Sequence, residues 1–117
     1  MNTFFLYDVL ISSFGFQSTI YCGCCSDIEC GMLMHVNTPW GFECEFVSIF
    51  ADALHPIGIY TTPDLVESVH DAGMKVNVWT VDDPSSIRCF YDMGCDGVIT
   101  NTPDVCMDVL ADFASQV

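Results

Sequence analysis

The sequence predicts an α/β fold in which parallel strands alternate with helices, closing as a twisted open sheet or as part of a barrel. Two observations in the second half of the chain carry this. A unit of capping residue, proline, amphipathic helix, glycine and strand recurs, with its prolines at 63, 84 and 103. The strands between these helices are short and aliphatic, and each changes to aromatic or polar residues at its carboxyl end. Strand, loop, helix, glycine, strand is the grammar of parallel α/β folds, because crossover helices return the chain to the same edge.

The first of these units is "TTPDLVESVHDAG". Thr62 is the expected N-cap, Pro63 the first helical residue, and Leu65, Val66, Val69 and Ala72 the apolar face. Gly73 ends the helix. The strand "KVNVWTV" follows. In "DDPSSIRCFYDMG" the cap is Asp83, Pro84 comes first, Ile87 and Phe90 point inward and Gly94 stops the helix before "DGVIT". The third unit opens at Thr102 and Pro103 and has Val105, Val109, Leu110 and Phe113 on its face.

The first half follows the same plan less sharply. "YDVLISSF" and "ECGMLM" read as strands, and "DALHP" as a short one closed by Pro56. A helix fits about Gln17 to Asp27, and another about Cys44 to Phe50. Five strands result, near 7–13, 30–35, 52–55, 75–81 and 97–100. Their carboxyl ends carry Ser13 and Phe14, His35, His55, Trp79 with Thr80, and Thr100 with Asn101. Ligands of parallel α/β folds bind at that end of the strands.

Composition bounds the rest. The 117 residues form one domain, 1–117, with 51% hydrophobic and 15% charged residues, which fits a packed core and not a disordered chain. Two basic residues, Lys75 and Arg88, face sixteen acids for a net charge of -14. Phosphate backbones need a basic face, so nucleic acid is excluded as a partner. Apolar runs fall short of the ~20 residues that span a membrane, and the start of the chain does not read as a signal peptide.

Of eight cysteines, Cys22, Cys24, Cys25 and Cys30 cluster in "YCGCCSDIEC". Their spacing matches neither paired C-x2-C motifs nor a Cys2His2 zinc set. The strong helix and strand periodicity argues against a disulfide scaffold. The cysteines are therefore expected as small buried hydrophobes. Cysteine richness without a leader points to a reducing, cytoplasmic setting.

Two stretches, "LVESVHDAGMKVNVWTVDDP" and "YDMGCDGVITNTPDV", resemble the carboxyl-terminal part of the glycerophosphodiester phosphodiesterase family. That family shows an H-x-x-G turn, a V-x-V-W-T-V-N strand and then G-x-D-G-I-I-T-D/N-x-P. "VLISSF" resembles its S-S-F strand end and "ADALHP" its next-to-last segment before the W-T-V strand. The resemblance implies a partial (β/α)8 barrel, about the fourth to the eighth strand. A whole barrel takes ~250 residues, and this chain has under half of that.

The resemblance also implies a chemistry. Members hydrolyse glycerophosphodiesters to an alcohol and glycerol 3-phosphate, with a divalent cation such as Ca²⁺ or Mg²⁺. An H-R-G turn and a second histidine supply acid and base, and E-x-D and E-I-K acids hold the metal. This sequence has no H-R-G, no E-x-D followed by an early histidine and no E-I-K; "ECEF" at Glu43 to Phe46 is only an echo. No catalytic or metal-binding residue is therefore expected in it, and the chain is expected to be inactive alone.

Substrate-contacting residues are expected instead. Trp79 would be an apolar wall near the glycerol moiety, Thr80 would share its rim, Phe14 would line the pocket, and His55 would face the barrel. Trp40, read as a loop residue, lies on the side suited to a lid, and His70 at a helix end is structural. Asp82 stands where the family usually has asparagine, and a turn and helix-capping role explains either. Self-association through exposed sheet edges is the alternative outcome of a shortened barrel.

Overall fold

The computed structural model describes residues 10–13, 29–34, 40–49 and 51–115. These form β1 (Leu10–Ser13), β2 (Glu29–Met34), α1 (Trp40–Val47), β3 (Ala53–Pro56), α2 (Pro63–Asp71), β4 (Lys75–Trp79), α3 (Pro84–Asp92), β5 (Gly97–Ile99) and α4 (Pro103–Ser115). A 3-10 turn at Gly58–Tyr60 joins β3 to α2. The strands make one sheet in the order β1-β2-β3-β4-β5, and every pairing is parallel. This is the predicted α/β architecture, part of a (β/α)8 barrel. Among the described residues β1 and β5 are paired on one side only.

The strand positions agree with the sequence to within a few residues. The first-half helix does not: it begins at Trp40, four residues before the predicted start, and ends at Val47. Trp40 is therefore the first residue of α1 and not part of a loop. The helix expected over Gln17 to Asp27 lies outside the described residues, as do Phe14 and His35.

Local chemistry explains the later helix boundaries. Thr62 and Asp83 are the N-caps of α2 and α3, with extended backbone and a proline following each. The Thr62 hydroxyl accepts from the Leu65 amide at 3.2 Å, and the Asp83 carboxylate from the Ser86 amide at 3.0 Å. Each bond satisfies one of the amides that a helix start leaves without a partner. Gly73 and Gly94 end these helices at φ of 84° and 93°, a left-handed conformation that glycine adopts without strain.

Alternation along the strands divides the sheet into two faces. Met32, Leu54, Val76 and Val78 point to the helices. There Met32, Leu54 and Val76 meet Cys44 and Val47 of α1 and Leu65, Val66 and Val69 of α2. Val78 joins Ile87 of α3 and Cys106 of α4 in a second cluster, flanked by Phe90, Val98 and Leu110. Leu54, Val69, Val76 and Val78 are fully buried. Each contributes roughly 1.5–3 kcal/mol of burial, which outweighs the weak intrinsic preference of such short strands.

At the amino ends of the strands one device occurs twice. The Asp52 carboxylate accepts the Cys30 amide at 2.9 Å while its own amide donates to the Cys30 carbonyl at 2.8 Å. Asp96 does the same to Val76, at 2.8 and 2.9 Å. His70, in the last turn of α2, adds its Nε2 to Asp96 at 2.7 Å. The structural role expected of His70 thus has a definite partner, at the end of the sheet away from the predicted site.

The cysteines divide. Cys44 and Cys106 are free and buried, as expected of small hydrophobes. Cys89 is free but exposed, which corrects that expectation for it. Cys30 is buried and disulfide-bonded, to a partner outside the described residues. Cys30 is thus buried, as expected of a small hydrophobe, but cross-linked as well, and the cysteine content no longer points to a reducing compartment. Among the described residues no helix is long and apolar enough to cross a membrane.

Candidate functional site

The other face of the sheet is the inner face of the partial barrel. Register places Leu33 beside His55, and Asn77 beside Gly97, while Trp79 pairs with both Ile57 and Ile99. The odd positions of "KVNVW" thus all point away from the helices. Val76 and Val78 serve the core, and Asn77 and Trp79 serve this face.

His55 is its centre. The residue is fully buried. Asn77 Nδ2 lies 3.1 Å from His55 Nε2. Two glycines make room for the pair. A Cβ on Gly31 would overlap the imidazole ring, and one on Gly97 would stand 2.7 Å from the Asn77 amide oxygen. Burial lowers the His55 pKa below its usual value, because desolvation penalises the charged ring. Burial thus favours the neutral imidazole, whose Nε2 can accept from the Asn77 amide.

Trp79 ends β4 half-buried, and its indole N–H donates to the His55 backbone carbonyl at 2.7 Å. Its aromatic body is therefore held against the strand end by its one polar atom. The peptide bond from Trp79 to Thr80 is cis. Thr80 is exposed and lines an open groove of about 510 Å³ with Gly58, Ile59, Asp82, Ser86 and Phe90. The structure thus brings Trp79 and His55 together, and places Thr80 on the neighbouring rim.

Asp82 ties that rim to the end of β5. Its carboxylate accepts from the Asn101 amide at 2.7 Å, the Thr100 hydroxyl at 2.9 Å and the Asn101 side chain at 3.3 Å. These bonds, the Asn101 backbone amide foremost, hold its pKa below the usual carboxylate range. Asp82 therefore bridges two loops, and the capping role expected of it belongs to Asp83 alone.

Sequence reasoning missed Asn77, Gly31 and Gly97. An asparagine between two core valines was the available signal for Asn77. The glycines carried none, since their role depends on which ring faces them across the sheet. Among the described residues no group of three or more His, Cys, Asp or Glu side chains could hold a metal ion. The divalent cation implied by the resemblance therefore finds no fitting ligand set there.

Residues 7–105 match the glycerophosphoryl diester phosphodiesterase family. The chain is 45% identical over 49 residues to a Mycobacterium tuberculosis protein named "Probable glycerophosphodiester phosphodiesterase 2", covering 42% of this chain and 19% of that one. It is 29% identical over 82 residues to the glycerophosphodiester phosphodiesterase of Caldanaerobacter subterraneus, covering 70% and 31%. Among solved structures it superposes on an Oleispira antarctica phosphodiesterase in complex with the product sn-glycerol-3-phosphate. That match has a TM-score of 0.75 at 22% identity and covers 87% of this chain and 41% of that one. The chain thus spans less than half the length of these three proteins. With residues 7–105 of its 117 matching that family's model, the chain belongs to the glycerophosphoryl diester phosphodiesterase family.

Proposed function

We propose that this chain is the carboxyl-terminal portion of a glycerophosphodiester phosphodiesterase barrel, carrying substrate-contacting surface without the groups that perform hydrolysis. The observation that carries this reading is the inner face itself. It presents an aromatic wall at a strand end, beside a neutral and already engaged histidine. Its described residues offer neither a metal cluster nor a histidine free to exchange protons with a substrate.

In a complete barrel Trp79 would meet the glycerol moiety of a glycerophosphodiester, with Thr80 at the rim and Phe14 from the first strand end here. His55 would contribute by holding that wall. Proton transfer and phosphoryl polarisation would come from strands that this sequence does not match. Glycerol 3-phosphate, the product bound by the Oleispira antarctica phosphodiesterase, is the ligand whose glycerol part this wall suits.

The test is hydrolysis of glycerophosphocholine with Ca²⁺ or Mg²⁺, beside sedimentation of the same preparation. No turnover from an aggregated or ill-defined species supports the reading. No turnover from a clean dimer favours a self-assembling, non-catalytic module, for which the one-sided pairing of β1 and β5 among the described residues is the favouring observation. Metal-dependent turnover by the chain alone overturns both.

A further inference from the structure

Helix α4 is apolar on two flanks, and the described residues cover one of them. On that flank Phe113 meets α3. Its ring centroid lies 4.9 Å from that of Tyr91, and the Arg88 guanidinium carbon lies 4.9 Å from it on the ring face. Val109 and Asp112 line a groove with Pro84 and Arg88 on the same side. A helix turns about 100° per residue, so Met107 and Ala111 fall on the opposite flank, with Leu110 on the arc between. Met107 is 65% exposed, and Ala111 is exposed as well. Asp104 and Asp108 occupy the remaining arc, toward solvent. A helix with one neighbour needs one apolar flank beside its core face, and α4 has a second.

The strand before it is thinly covered too. Val98 pairs beside Val78 and shares its face, yet Val78 is fully buried and Val98 only half-buried. Ile99 is 39% exposed. A cavity of about 70 Å³ lies at this strand, lined in part by Ile87, Val98, Cys106 and Leu110. Among the described residues β5 pairs with β4 alone. A strand edge, an underfilled core layer and an apolar helix flank therefore lie together at one end of the sheet.

We propose that this end is the seat of an amino-terminal half-barrel of the same family: one of its strands adds in parallel to β5, and its helix covers Met107, Leu110 and Ala111. The proposal rests on the reading above that the chain is the carboxyl-terminal portion of a barrel. It adds where the remainder docks, and that no peptide bond between the two is required.

Strand count and charge choose this occupant over a second copy. A (β/α)8 barrel closes with eight strands, and the described sheet has five, so the occupant supplies three. A second copy would bring five. It would also set another formal charge of -14 beside the first. The added strand takes up the edge amides and carbonyls of β5, and its helix buries the apolar flank of α4.

The experiment co-expresses the full chain with the Caldanaerobacter subterraneus glycerophosphodiester phosphodiesterase ended before its 82-residue match to this chain. Sedimentation reads the assembly. A soluble 1:1 complex is expected. Met107→Asp combined with Ala111→Asp should abolish it, and Asp108→Asn, on the solvent arc, should leave it in place. The double variant alone should unfold at the parent's urea midpoint, because its flank covers nothing within the chain. No soluble 1:1 complex overturns the proposal, as does a complex that the double variant retains. A fall in the double variant's midpoint assigns these residues to the chain's own core and overturns the seat. A homodimer of the chain that the double variant dissociates overturns the choice of occupant. No readout here is catalytic, so a failed seat leaves the family assignment and the absence of turnover untouched. Turnover by the chain alone defeats the functional reading in a separate assay.

Discussion

Asp96 and Val76 are bonded to each other twice, side chain to amide and amide to carbonyl, at 2.8 and 2.9 Å. The pair closes the amino end of β4 against β5, and the His70 ring reaches the same carboxylate oxygen. Burial acts to raise the Asp96 pKa. The Val76 amide, the His70 hydrogen bond and the charges of His70 and Lys75 together outweigh it and hold the carboxyl below its usual value. This contribution is therefore present above the unfolded pKa near 4 and is lost as the pH falls through the lower folded value. Asp96→Ala should cost about 1–2 kcal/mol at neutral pH, because it strips the Val76 amide of its side-chain acceptor. Chemical denaturation of the two proteins at pH 7 and at acid pH checks this, and the difference should shrink in acid.

Gly31 should be the least substitutable glycine of the sheet. Its missing Cβ is the space that the His55 ring occupies, and overpacking a filled layer costs about 1–3 kcal/mol. At Gly97 the obstacle is the Asn77 amide oxygen at 2.7 Å, the end of a side chain that can shift. Thermal unfolding should accordingly rank Gly31→Ala well below Gly97→Ala.

Helix α3 depends on one carboxylate at its start. Asp83→Ala removes the acceptor of the Ser86 amide and should cost about 1 kcal/mol, read as a lower denaturation midpoint. Asp83→Asn should recover most of that loss, since an amide oxygen can also cap.

The thiols give a chemical check. Because Cys30 is disulfide-bonded, at most six of the eight cysteines should take up an alkylating agent in denaturant before reduction. In the native state Cys89 should be modified before Cys95. Cys89 is exposed, whereas burial foremost, with the nearby charges of Asp96 and Cys89, pushes the Cys95 thiol up to about 11. Mass mapping after timed alkylation distinguishes them, and faster modification of Cys95 would contradict this electrostatic picture.

Much of the second half was legible because its signals are local. Pro63 and Pro84 after capping residues, and Gly73 and Gly94 after the apolar face, mark helix ends through backbone chemistry that needs no distant partner. Trp79 stood out for the same reason, as a bulky polar-tipped residue ending an aliphatic strand. What stayed hidden is non-local. Asn77 has meaning only once His55 is brought beside it across the sheet, and Gly31 only once that ring lies over it. Asp82 was read as a turn and helix-capping residue, because Asn101 is distant in sequence and adjacent only after β5 forms. Trp40 opens α1 directly after Thr38 and Pro39, but no periodic apolar stripe announced the first turn.

On the proposed reading, this chain carries part of a phosphodiesterase barrel's binding surface and not its chemistry. The decisive assay is release of glycerol 3-phosphate from glycerophosphocholine by the purified chain, with Ca²⁺ or Mg²⁺ and again with a chelator. No release above the protein-free reaction is expected in either case. Release that depends on the cation, co-elutes with the chain and disappears in a variant of one of its own histidines or acids would contradict it.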